Sequence, residues 1–190
     1  MSIEFIAIGV SWGGMKALQY MLPLLPEDFT TPIVVVQHLG AYSGTEWIDI
    51  LNDMCSVRVK EADEKETIEQ GVYIAPPNYH LLIEKDKTFS LSLDERVNFA
   101  RPSIDVLFEC VADVYKGSAI GVIMTGLNSD GALGFRRIKD RGGIAIVQNP
   151  ETAEVGEMPE AAIAATTADY IVDLHELVPL LTELTKEKRV

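Results

Sequence analysis

The sequence predicts a three-layer, doubly wound α/β fold whose sheet is mostly parallel, with one antiparallel hairpin. Two observations carry the prediction. Apolar, β-branched runs such as Pro32–Gln37 (PIVVVQ) and Ala119–Thr125 (AIGVIMT) have no polar face, and amphipathic stretches alternate with them along the chain. Strands apolar on both sides belong in a sheet covered on both sides, and the alternation supplies the covering helices. A third observation sets the domain count: neither an internal repeat nor a low-complexity linker interrupts the 190 residues, so a single domain over 1–190 is expected.

Taken in order, Ile3–Val10 reads as a buried strand, followed by a helix from about Gly13 to Leu22 that stops at Pro23. Pro32–Gln37 is the second buried strand and Gly44–Met54 a helix, with short β-rich pieces at Val57–Val59 and Val72–Ala75. His80–Glu84 and Thr88–Leu93 form a hairpin around Lys85-Asp86-Lys87. Ser103 stands as N-cap of a helix to about Tyr115, with Asp105 in its first turn. Ala119–Thr125 is a strand, Gly131 to Asp140 a helix, Ile144–Gln148 a strand and Glu157–Ala165 a helix entered through Met158-Pro159. Tyr170–Val172 and a closing helix, Leu174–Lys186, complete the set.

Composition narrows the function. A formal charge of −13 repels phosphate backbones, so nucleic acid is not an expected partner. The acidic run Glu61–Glu69 reads as a solvated connection. No apolar run approaches the roughly 20 residues that span a bilayer, and the first ten residues lack the basic start of a signal peptide. Cys55 and Cys110 form no C-x-x-C pair and suggest no disulfide scaffold. A cytoplasmic protein without membrane insertion is expected.

In an open parallel sheet, ligands bind beyond the carboxyl ends of the strands. That rule selects Ser11 after the first strand, His38 after the second, and the turn Gly126-Leu127-Asn128-Ser129-Asp130 after Ala119–Thr125. Gly9-Val10-Ser11-Trp12-Gly13-Gly14 matches the G-x-S-x-G elbow, which exposes a serine hydroxyl and aims backbone N–H groups at the same point. The same glycines also suit an anion-binding turn with Ser11 as helix cap, and the short motif does not separate the two. Of the three histidines, His175 opens the last helix as a solvated residue and His80 borders the turn Pro76–Tyr79 as a structural one. His38 is the best general base, because imidazole titrates near neutrality. Asp130 either caps the helix that follows it or orients His38. The order Ser, His, Asp differs from the Ser, Asp, His order of α/β-hydrolases.

These segments together resemble the catalytic domain of the bacterial chemotaxis protein-glutamate methylesterases. The resemblance runs from Ile6 to about Leu181. It is carried by Ile8–Gly14, Val36-Gln37-His38, Tyr73–Pro77 with His80-Leu81, Arg101–Phe108, Met124–Gly126 through Asp130–Ala132, and Gly156–Ile163. It implies Ser11, His38 and Asp130 as catalytic triad, hydrolysis of glutamyl methyl esters on the cytoplasmic helices of chemoreceptors with release of methanol, and deamidation of receptor glutamines. It implies no metal and no organic cofactor. The backbone N–H groups of Trp12 and Leu127 are the expected oxyanion donors, and Arg101 is a candidate substrate contact or a fold-stabilising residue. Trp12 stands where the family commonly has threonine, Leu127 where methionine is usual, and Asn128 where glycine is usual. The receiver domain common in the family has no room in 190 residues. Two other readings remain open: a relative that docks on receptors without hydrolysing them, which an activated ester would expose, and a nucleotide-binding domain, which would ignore a serine-directed phosphonate. Oligomeric state is not legible.

Overall fold

The computed structural model describes residues 2–39 and 44–186. Among the described residues there are nine strands: β1 (Phe5–Val10), β2 (Ile33–Gln37), β3 (Val59–Glu61), β4 (Val72–Ile74), β5 (His80–Ile83), β6 (Phe89–Ser92), β7 (Ala119–Ile123), β8 (Ile144–Gln148) and β9 (Tyr170–Val172). Seven of them form one sheet in the order β3-β4-β2-β1-β7-β8-β9. Every neighbouring pair in it is parallel. β5 and β6 form the separate antiparallel hairpin. The expected α/β architecture is the one observed.

The helices are α1 (Gly14–Met21), α2 (Glu46–Met54), α3 (Ile104–Tyr115), α4 (Ala132–Asp140), α5 (Glu157–Ala165) and α6 (Leu174–Lys186). Alternation along β1 divides the core. Phe5 and Ala7 join one buried cluster with Leu107 and Phe108 of α3, Phe135 of α4 and Met158 of α5. Ile6, Ile8 and Val10 join the other with Leu18 of α1, Leu51 of α2 and Leu181 of α6. Successive strand side chains point to opposite faces, and a strand apolar at both parities therefore needs a helix layer on each.

Several element boundaries differ from the sequence reading, with β1 starting at Phe5, α2 at Glu46 and β7 ending at Ile123, and two of the differences have a local cause. The piece expected at Val57–Val59 pairs two residues later, at Val59–Glu61, because Asn52 Oδ1 accepts from the Val59 N–H at 2.8 Å and fixes where the chain leaves α2. The first helix ends at Met21, and Leu22–Leu24 tighten into a 3₁₀ turn around Pro23.

Topology positions the site. β1 is the central strand, and the chain winds outward from it to β2 on one side and β7 on the other. Crevices form at such a reversal of strand order. The N-terminus of α3 rides close over β1: a Cβ on Gly9 would stand 2.5 Å from Ile104 Cγ2.

Candidate active site

Three strand ends deliver the residues named above to one edge. The β-ladder continues just past the strands, with Ser11 N–H donating to Thr125 O at 3.0 Å and His38 N–H to Val10 O at 3.1 Å. Ser11 and His38 line the same cleft, with Asn98, Phe99, Arg101 and Asn128 on its other walls. His38 Nε2 lies 2.8 Å from Asp130 Oδ2. An ionised carboxylate only accepts, so Nε2 carries the proton and Nδ1 is the ring's free acceptor.

Asp130 is fully buried and its surroundings are built for a charge. Oδ1 accepts from Ser103 Oγ at 2.8 Å and Asn98 Nδ2 at 3.0 Å, and Oδ2 accepts from the Ile104 N–H at 2.6 Å as well as from His38. Burial alone would push this carboxyl up. The bonds from His38, Asn98 and Ile104 outweigh it and hold the carboxyl below its ordinary value. The positive end of α3 adds to them. The reading of Asp130 as cap of the following helix is corrected here: Gly131 is the N-cap of α4, with no side-chain cap bond. Asp130 serves the N-terminus of α3 instead.

Asp105, also buried, takes the Gly134 N–H at 2.7 Å and the other Asn98 hydrogen at 2.9 Å. Burial raises its pKa, with the nearby Asp130 charge adding to the effect against the Gly134 bond. Asn98 thus bridges two carboxylates.

Gln37 holds the nucleophile loop to the histidine loop. Its Nε2 donates to Ser11 O at 2.9 Å and His38 O at 3.0 Å. Thr125 Oγ1 donates to Trp12 O at 2.8 Å and accepts from the Val155 N–H at 3.0 Å. The Trp12 and Leu127 N–H groups, expected as oxyanion donors, find no acceptor among the described residues. The Leu127 turn abuts the nucleophile, since a Cβ on Gly126 would fall 2.9 Å from Ser11 Cβ.

Arg101 lines the cleft, but its guanidinium is engaged by Leu93 O, Asp94 O and Asn78 Oδ1 at 2.8–2.9 Å. His80 is buried: Nε2 donates to Glu95 O and Nδ1 accepts from the Ser103 N–H. His175 is exposed. Sequence reasoning missed Gln37, Asn98 and Thr125 as parts of the site. Only a polar residue closing a β-branched run hinted at Gln37.

Fold and site define a class: an α/β protein with a serine–histidine–aspartate constellation at the strand-order reversal of a parallel sheet. The CheB methylesterase family model matches residues 6–181, and the chain belongs to that family. A relative from Leptospira interrogans, provisionally described as a protein-glutamate methylesterase/protein-glutamine glutaminase, is 57% identical over 97% of this chain and 96% of its own length. Relatives of the same description from Archaeoglobus fulgidus and Trichodesmium erythraeum are 39% and 36% identical over 97% and 93% of this chain. The chain spans only 55% and 51% of their lengths. The crystal structure of the Thermotoga maritima CheB methylesterase catalytic domain superposes with a TM-score of 0.92 at 35% identity, covering 97% of this chain and 100% of that one. Among the described residues, no helix is long and apolar enough to cross a membrane.

Proposed function

We propose that Ser11, His38 and Asp130 hydrolyse methyl esters of glutamate side chains on the cytoplasmic helices of chemoreceptors and deamidate receptor glutamines at the same centre. The observation that carries this reading is the 2.8 Å His38–Asp130 bond opening onto a cleft shared with Ser11. His38 Nδ1 takes the Ser11 proton as Oγ attacks the ester carbonyl. The Trp12 and Leu127 N–H groups hold the oxyanion. The imidazolium returns the proton to the departing methoxide, which leaves as methanol; for an amide, ammonia leaves. Water, deprotonated by His38, then attacks the glutamyl-serine ester; the imidazolium gives that proton to the departing Oγ, which regenerates Ser11 and frees the glutamate side chain as its acid, ionised at neutral pH. Asp130 stabilises the imidazolium that forms in each of the two steps. Arg101 shapes the cleft wall through its bonds to Leu93 O, Asp94 O and Asn78 Oδ1, the fold-stabilising one of its two expected roles.

Ser11→Ala tests the reading. It is expected to abolish methanol release from methyl-labelled receptor membranes while the thermal unfolding midpoint stays nearly constant. Undiminished release would discard Ser11 as nucleophile.

A further inference from the structure

The turn Val97-Asn98-Phe99-Ala100 overhangs the cleft. Val97 and Ala100 exchange both backbone hydrogen bonds, at 3.1 and 2.8 Å. Both tip residues have positive φ, 50° at Asn98 and 64° at Phe99. Such two-residue hairpins favour Asn-Gly. Asparagine tolerates the left-handed region, whereas a bulky side chain there is a true outlier. Strain of this kind gathers at functional positions.

Its two side chains do different things. Asn98 reaches down to Asp130 and Asp105. Phe99 is 96% exposed, more than any other large apolar residue described, and it lines the cleft beside Ser11 and His38. Trp12, next to the nucleophile, and Leu127, in the oxyanion turn, are exposed at 63% and 55%. The cleft itself measures about 180 Å³, smaller than the roughly 300–1,000 Å³ of pockets that enclose a drug-sized ligand. It admits one side chain, and the rest of the substrate must rest on the rim.

From this we infer that Phe99 is a specificity-determining residue that receives the apolar surface of the protein substrate beside the esterified side chain. The inference rests on the esterase reading above. The occupant is a helix of the methylated protein that carries an apolar side chain three or four residues from the glutamyl ester, where the two are neighbours on one face. A free small ester gains nothing from the ring.

The test compares wild type, Phe99→Asn and Phe99→Leu on methyl-labelled chemoreceptor membranes and on a small ester without an aromatic or large apolar group, N-acetylglutamic acid γ-methyl ester. Phe99→Asn keeps a residue that accepts the backbone but removes the apolar surface. Its ratio of kcat/KM on receptor to kcat/KM on the small ester is expected to fall about tenfold, through KM, as for a buried aromatic contact. Phe99→Leu is expected to hold that ratio within about twofold. Relief of strain should raise the Tm of Phe99→Asn by about 2–4 °C, so poor folding cannot imitate the loss. An unchanged ratio, or equal loss on both substrates, overturns the assignment. So does a shift from dimer to monomer on substitution, which would place a second copy of this chain on the ring. A wild type that turns over the small ester but releases no methanol from receptor ends the esterase-substrate reading and this inference with it. Receptor turnover equal in wild type and Phe99→Asn ends this inference alone.

Discussion

Asp130 gathers five donors around one buried carboxylate: His38 Nε2, Asn98 Nδ2, Ser103 Oγ and the N–H groups of Ile104 and Asp105. An amide would turn its own hydrogens toward some of them. Asp130→Asn is therefore expected to cut turnover by about 10⁴-fold, the scale of the same change in another triad, and to destabilise by about 3 kcal/mol. The pH dependence follows from the depressed folded pKa. The unfolded carboxyl titrates near its ordinary value of about 3.9, so the stability from Asp130 is fully present above that pH and is lost as pH falls through the lower folded pKa. Urea unfolding should show a constant gap between wild type and variant from about pH 7 to pH 5, closing only below about pH 4. The placement of Ser11, His38 and Asp130 at one edge of the sheet was legible in the sequence because strand ends declare themselves by the runs before them. Gln37 and Asn98 were not. Gln37 acts on backbone carbonyls, and Asn98 bonds Asp130, 32 positions along the chain, a relation no local pattern encodes.

Among the elements, the turn from β7 to α4 is tightly constrained. A side chain on Gly126 would meet Met158 Cε at 2.4 Å and Ser11 Cβ at 2.9 Å. The two neighbours differ in kind: Met158 is a flexible side chain that can yield, while Ser11 cannot move without displacing the nucleophile. Gly126→Ala is expected to destabilise by about 1–3 kcal/mol, as overpacking does, and to lower esterase kcat. Adding Met158→Leu, which moves atoms away from that contact at nearly constant volume, should recover part of the stability, read by thermal unfolding, but not the rate. Recovery of both would show that the turn does not bear on Ser11. Elements of 5 or more residues, β1, β2, β7 and β8 among them, were legible from their apolar runs. The three-residue β3 was misplaced because its start depends on a side chain of α2, Asn52, capturing the Val59 N–H.

At the scale of the whole molecule, the doubly wound class was legible because two-faced apolar strands and amphipathic helices leave few other ways to bury them. The strand order was not, since parallel pairing joins residues such as Phe5 and Ala119 that are remote in sequence. That order divides the chain cleanly. Residues up to Asp94 hold Ser11, His38 and β1 to β6, while those from Glu95 hold Asn98, Asp130 and β7 to β9. The two stretches meet along the β1–β7 ladder and where Arg101 and His80 reach across to Asp94 O and Glu95 O. The exposed bond between Asp94 and Glu95 is thus a natural place to make a split enzyme. Protein nicked there, its halves parted in denaturant, should be inert as either piece, and on remixing should recover ester hydrolysis at a rate that rises with fragment concentration. The molecule is then a reporter of its own reassembly, because Ser11 and His38 travel with one half and Asp130, bonded to His38, with the other.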